Sequence, residues 1–353
     1  MASLALPACS FGSREISYIE AVQATWQQDR PVSAGRMPLL EELVRCATLA
    51  PSSHNSQCWK FALQDDSISI IPDLTRRCPA VDPDDHHLFV SLGCAAENLT
   101  QAALAHGILA EIRFDAEQGD MLHMQLTPTA AVATELFAGI FDRQSTRSVY
   151  DGLPLSANEL KLLEMAGTSE GVQLLFLTDK PSIEKMLDYV VEANTAQMHD
   201  AAFVKELKHW IRFSDTEAIH ASDGLFTGAT GNASTPRWLG EFLFPQFFTP
   251  ESENDKYAKQ IRSSAGIAVF ASEKNDKAHW IEVGRCYERF ALQATALGVR
   301  TAFVNQPVEV AGIRSRLAGT LGLGDRRPDL VVRFGRGAAM PRSLRRPVEA
   351  VLV

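Results

Sequence analysis

SLGCAAENLTQAALAHGI, residues 91–108, and EVGRCYERFALQATALGV, residues 282–299, read as two versions of one element. Gly93 aligns with Gly284, Glu97 with Glu288, Ala103 with Ala294 and Gly107 with Gly298, all at one offset (288 minus 97 gives 191). Each stretch is a long, largely apolar run, which predicts a buried helix. Each ends in glycine, the residue that most readily takes the left-handed backbone at a helix stop. Each is followed by a strand-like run, ILAEIRF (108–114) or RTAFVNQ (300–306). A second echo lies upstream, where ELVRCATL (42–49) resembles ELKLLEMA (159–166). Two apolar helices resemble one another by chance; shared glycine stops and following strands favour a repeated α+β unit. The expected division is 1–134 and 135–353.

The remaining pattern fits that unit. Residues 37–49 have helical periodicity, and 60–71 alternate as two short strands. The helix over 88–106 is preceded by Asp82, Asp84 and Asp85, carboxylates suited to the positive end of a helix. LAEIRF and MLHMQL form a strand pair. The second unit carries an insertion, 214–258, with GLFTGATGNASTP and the aromatic run RWLGEFLFPQFFTP. Its Gly, Thr, Asn and Pro predict an irregular excursion, and Phe226, Trp238, Phe242, Phe244, Phe247 and Phe248 predict packing on something apolar. Such a segment serves as a lid or as a plain helical hairpin.

A chain of 353 residues with 46% hydrophobic content supports more than one ordinary core. The net charge of −9 argues against general nucleic-acid binding. No apolar run approaches the ~20 residues of a membrane helix. The six cysteines, Cys9, Cys46, Cys58, Cys78, Cys94 and Cys286, form no metal-spaced pair and read as buried thiols of a reducing compartment. MASLALPACSFGSRE makes a poor secretion signal, so a cytoplasmic protein is expected.

Two basic islands stand against this acidic background: DRQSTRSVY (142–150) and PRSLRRP (341–347). Arginine forks and hydroxyls suit a phosphate, and together the islands would form a cradle; each alone reads as a solvated loop. A third polar knot, PSSHNSQ (51–57), follows the first helix. No Gly-rich phosphate loop, HExxH or GxSxG is present. His86 and His87 read as a helix-start region, and no metal site is expected. An enzyme built on this chain would take its reactivity from a cofactor.

APSSHNSQCWKF resembles the nitroreductase signature Ala-Pro-Ser-Ser-x-Asn-x-Gln-Pro-Trp. RQSTRSVY resembles that family's Arg-x-Ser/Thr-x-Arg segment, HWIEVGRCYERFALQATALGVRTAFVNQPVE its central helix and following strand, and RFGRGAAMPRSLRRPVEAVLV its last strand and basic tail. Their order, from about residue 38 onward, looks most like the fused, double-length Acg-like nitroreductases. The resemblance implies an α+β nitroreductase-like fold duplicated in one chain, with mixed or antiparallel sheets flanked by helices. It also implies FMN, NAD(P)H as donor and a small-molecule acceptor such as a nitroaromatic or quinone. The competing expectation is a protein that holds FMN under a lid, as a store or sensor, without turnover.

Laid over the family's geometry, the site residues are Arg143, Ser145 and Arg147 from the first island, and Asn305 and Gln306 from the strand end. Arg345 and Arg346 come from the tail, and Pro51, Ser52, Ser53 and Asn55 from the polar knot, which would reach the flavin's pyrimidine edge. Arg212, in KHWIRF, is the candidate for the flavin N1–O2 edge. SYIEAVQATWQQDR and GTSEG lack the parts of a reciprocal site. One FMN per chain and a monomeric pseudo-dimer are therefore expected. Cys58 departs from the family's usual proline.

Overall fold

The structure, a computed structural model, describes residues 16–353, so Cys9 and the reading of the N-terminal leader lie outside the described residues. The elements up to residue 128 are α1 (Tyr18–Trp26), α2 (Arg36–Thr48), β1 (Trp59–Gln64), β2 (Ser67–Pro72), α3 (His86–Ala105), β3 (Ile108–Asp115) and β4 (Met121–Pro128). Next come α4 (Glu135–Ile140), α5 (Ala157–Gly167), β5 (Val172–Leu177), α6 (Lys180–His199), α7 (Ala201–Trp210) and β6 (Ile211–Arg212). The insertion holds α8 (Asp215–Ala221), β7 (Leu225–Phe226), α9 (Arg237–Phe247) and α10 (Pro250–Arg262). The chain closes with β8 (Gly266–Ser272), α11 (Lys277–Ala296), β9 (Arg300–Phe303), α12 (Gln306–Glu309), α13 (Ala311–Thr320) and β10 (Arg327–Gly335).

The architecture is mixed α/β with two four-stranded antiparallel sheets, ordered β1-β2-β4-β3 and β5-β8-β10-β9. Both place their third strand in sequence, β3 or β9, at the edge, directly after a twenty-residue helix, α3 or α11. β8 and β10 are buried along their whole length; β8 reads as an apolar run, while β10 buries Arg327, Asp329 and Arg333 among its apolar residues, and β3 and β4 largely bury alternate residues and read as alternation. The glycine stops take positive φ, +74° at Gly107 and +67° at Gly298.

α3 and α11 cross between the sheets with almost no side chain between their backbones. A Cβ added at Gly93 would lie 2.0 Å from the Ile281 carbonyl oxygen, and one at Gly284 would lie 2.0 Å from that of Val90. The contact is reciprocal: 281 minus 90 and 284 minus 93 give the same 191. The surrounding core joins Leu40, Leu43, Trp59, Phe61, Leu92, Leu99, Tyr287, Phe290 and Phe334 in one cluster.

Two crossings position the site. After β10 the tail runs to the first sheet, where Phe61 N donates to Val351 O (2.8 Å) and Val353 N to Phe61 O (3.0 Å). Residues 143–147 run beside the free edge of β9, with Thr146 N donating to Thr301 O (2.8 Å) and Ser145 bridging Thr301. The insertion is more helical than its composition predicts. Irregular backbone is confined to its Gly/Asn/Ser-rich middle, while Thr249 caps α10 and Ser214 caps α8. Among the described residues no helix is long and apolar enough to cross a membrane.

Candidate functional site

A cavity of about 660 Å³ opens where the polar knot, the 143–147 segment, the end of β9, the tail and the insertion meet. That volume is of the size that takes a cofactor or drug-sized ligand. Ten of the twelve residues singled out in the sequence line it: Pro51, Ser52, Ser53, Asn55, Arg143, Ser145, Arg147, Asn305, Gln306 and Arg345.

One end is electropositive. The last carbonyls of α2 have no partner within the helix, and two guanidiniums supply it. Arg143 Nη2 donates to Leu49 O (2.8 Å); Arg345 donates to Thr48 O (2.9 Å), Leu49 O (3.1 Å) and Ala50 O (3.1 Å). Arg143 Nε lies 3.0 Å from Glu288 Oε1, and both side chains are buried. Burial pushes the Glu288 carboxyl up to about 7 against the pull of Arg143. Burial, then the nearby charge of Arg143, push Arg345 down to about 9. Two guanidiniums thus share one buried carboxylate, an arrangement that favours a further anion. Ser145 Oγ, buried beside them, has no hydrogen-bond partner.

The polar knot ties three segments together. His54, Asn55 and Gln57 all adopt left-handed backbone (φ 51°, 52° and 53°), uncommon for residues other than glycine. Asn55 Nδ2 donates to Gly224 O (3.0 Å) and Leu344 O (3.1 Å), and Gln57 Nε2 to Ser222 O (2.9 Å). Ser52 Oγ accepts from Gln57 N (2.8 Å). The knot's many hydrogen-bonding groups therefore serve first to anchor the insertion and the tail. Left over, and buried, are Asn55 Oδ1 and His54 Nε2, together with Gln306 Oε1 across the cavity. Asn305 Oδ1 accepts from Val331 N (2.9 Å), which fixes the end of β9. Arg147 makes no ion pair among the described residues, and burial lowers its pKa.

Two expected residues stand elsewhere. Arg212 is buried, its Nε and Nη2 both donate to Asp223 Oδ1 (3.0 and 2.5 Å), a carboxylate that Arg76 also pairs with, and it donates to His209 O (2.8 Å), so it is tied into the loop before β7. Arg346 points away: its backbone N donates to Gln57 Oε1 (2.8 Å) and its guanidinium to Gln57 O and Ala350 O. Neither lines the cavity.

Searches with the sequence place it among known proteins, although no family model matches it. It is 24% identical over 299 residues to "Putative NAD(P)H nitroreductase Rv3131" of Mycobacterium tuberculosis, covering 82% of each chain. It is 22% identical over 325 residues to "Putative NAD(P)H nitroreductase acg" of the same organism, covering 89% of this chain and 95% of that one. The sequence is similar to that of Acg over most of its length. Among solved structures, a nitroreductase with bound FMN from Desulfitobacterium hafniense overlaps 63% of this chain and 98% of its own at 12% identity and a TM-score of 0.40.

Three features of this Acg-like site escaped the sequence reading. Glu288, the buried counter-ion, lies within an apolar helix and stood out there only as a repeat marker. Trp26 lies beneath the tail, with Arg342 and Arg345 each 5.0 Å from its ring and its Nε1 donating to Ser343 O (3.0 Å). Arg333, fully buried in β10, donates to Thr146 O (3.0 Å) and Ser148 O (2.7 Å) and so holds the 143–147 segment in place. A lone arginine in VVRFG was the available signal.

Proposed function

We propose that the cavity holds one FMN per chain and that the protein uses it to pass electrons from NAD(P)H to a small acceptor, a nitroaromatic, quinone or related compound. The observation that carries this reading is the pair Arg143 and Arg345 converging on one end of the cavity against the single carboxylate Glu288. With Ser145 Oγ they would hold the phosphate. Asn55 Oδ1 and Gln306 Oε1, buried and without partners, would meet N–H groups of the ring system. The flavin, when bound, supplies the redox chemistry; the chain's part is to bind it, orient it and limit water. On this reading 1–134 and 135–353 are two copies of one nitroreductase-like unit, fused as a monomeric pseudo-dimer. The common strand order and the reciprocal glycine contact support it.

A second reading is favoured by one observation. Thr227, Leu243, Phe244, Phe247 and Phe248, all from 214–258, line the same cavity. A cofactor roofed this way would be stored or sensed rather than turned over. A visible spectrum of the FMN-loaded protein, followed by anaerobic NAD(P)H, separates the readings. Flavin bands that bleach with NAD(P)H support the reductase. Bands that persist with NAD(P)H and bleach with dithionite support the covered form. No retained flavin after loading overturns both.

A further inference from the structure

At the start of α3, beside the cavity and apart from the arginine end, three buried side chains converge: Asp82 (4% exposed), His86 (1%) and His87 (5%). One ligand-type atom from each lies within 4.8 Å of the others. We propose that these residues form a binding site for a divalent transition-metal ion of the zinc class, with an open coordination position toward the cavity.

The argument begins with His86. Its Nε2 lies 2.8 Å from Asp329 Oδ1, and Asp329 Oδ2 accepts from Ser272 N (2.6 Å). A proton on Nε2 satisfies that bond and leaves Nδ1 with a bare lone pair. Nδ1 is buried and has no partner. A carboxylate on the far nitrogen is the arrangement that fixes a metal-binding imidazole in its tautomer and orientation. Trp280 packs edge-on at 5.2 Å and restricts the ring further.

His87 stands beside His86, without a carboxylate at hydrogen-bond distance from its ring among the described residues. Its ring meets that of His86 at 4.6 Å between centroids, its Nδ1 stands 3.8 Å from Asp82 Oδ1, and its Nε2 is buried without a partner. Two adjacent buried imidazoles with unmet nitrogens are costly to the fold if nothing meets them. Asp82 takes amide N–H bonds from His87 and Leu88 (3.0 Å each), which makes it the helix cap the sequence suggested. Those bonds leave carboxylate lone pairs free. Asp84 and Asp329 both face Arg327 (3.0 and 3.6 Å), whereas no arginine or lysine pairs with Asp82 among the described residues. The positive helix end opposes a cation by roughly half a charge, which the Asp82 carboxylate, once ionised, would offset.

Two imidazoles and one carboxylate form a set that zinc and its neighbours accept while keeping another position open. Bonds of ~2.0–2.1 Å require the three ligand atoms to draw closer, with Asp82 and His87 moving toward the His86 ring that Asp329 and Trp280 hold. His87 lines the cavity, so the open position faces it.

The inference does not depend on a bound flavin. The full chain, stripped with EDTA, is titrated with Zn²⁺ alone by calorimetry and with Co²⁺ by visible absorption. Saturation at one Zn²⁺ per chain is expected, with a raised Tm and Co²⁺ bands of a nitrogen/oxygen site. H86Q and H87Q should each weaken binding at least ~10-fold, and D329N, which removes the carboxylate that orients His86 and also faces Arg327, by ~10–100-fold. C78S alters a separate grouping of His54, Cys78 and Glu206 and should bind as the parent does. Absence of saturable binding by the parent overturns the proposal without any variant. So does binding that C78S abolishes while H86Q and H87Q, folded by circular dichroism, retain it.

Discussion

At the scale of single residues, the cavity's chemistry rests on an imbalance of charge. Arg143 and Arg345 meet the same carbonyl, Leu49 O, and the one carboxylate near them, Glu288, pairs with Arg143. If they hold a phosphate, R143A and R345A should each weaken FMN binding by ~1.5–3 kcal/mol, the worth of a charge-assisted hydrogen bond. Fluorescence titration checks this, and unchanged affinity in both variants would refute the cradle. Glu288 gives a pH prediction. Its folded pKa, about 7, lies above its ordinary value of 4.5. The native state therefore holds the proton longer than the unfolded state, and stability falls as pH rises from 4.5 through 7. E288Q removes that slope, so the Tm of the parent relative to E288Q should be higher at pH 5 than at pH 8; an equal difference at both would show that Glu288 does not titrate there. The arginines were legible because each sits in a dense local island. Arg212 was misplaced because its partner Asp223, eleven residues on, folds back onto it, and no local pattern announces that pairing. Glu288 was illegible as a counter-ion because its partner comes from a distant loop.

At the scale of elements, the helix pair α3 and α11 is the most exacting contact. Gly93 and Gly284 each leave no room for a methyl group, since the atom met at 2.0 Å is backbone and cannot rotate away. G284A should force the helices apart and destabilise the fold by at least ~1–3 kcal/mol, the usual cost of overpacking. Thermal melting measures it; a Tm within error of the parent would mean that the crossing tolerates separation. These glycines were legible as repeat markers, because a repeated contact imprints the same residue twice. The insertion was only half legible. Its composition between Gly224 and Pro236 signals irregular backbone, yet α9 and α10 follow with helical spacing that the proline at 245 obscures. Phe244, Phe247 and Phe248 bring this element onto the cavity. Replacing 226–248 with a short linker should speed anaerobic bleaching of bound flavin by NAD(P)H, and an unchanged rate would remove the lid from the proposal.

At the scale of the whole molecule, the question is why two similar sheets should yield one site. Glu97 aligns with Glu288 in the sequence, and the surroundings of the two carboxylates are comparable up to a point. Arg289 Nε donates to Ala166 O near the end of α5 (3.1 Å), much as Arg143 donates to Leu49 O after α2. The charges differ. Glu97 meets Arg289 (2.9 Å) and Arg285 (3.3 Å), and Glu282 meets the same two arginines at 3.5 and 2.8 Å. Two carboxylates balance two guanidiniums there, and both arginines belong to α11 itself. Beside Glu288, two guanidiniums from separate loops share one carboxylate, which leaves a net charge for an anion. The strand order is common to both sheets, while the excess of positive charge arises at one end only. FMN loading should therefore saturate at one per 38.7 kDa chain, in a species that sediments as a monomer. R143A should lower the occupancy of that one site, and R289A, by leaving Glu97 and Glu282 in excess, should create no second one. Two flavins per chain would mean that the balanced cluster opens to admit a phosphate, and the charge argument would fail.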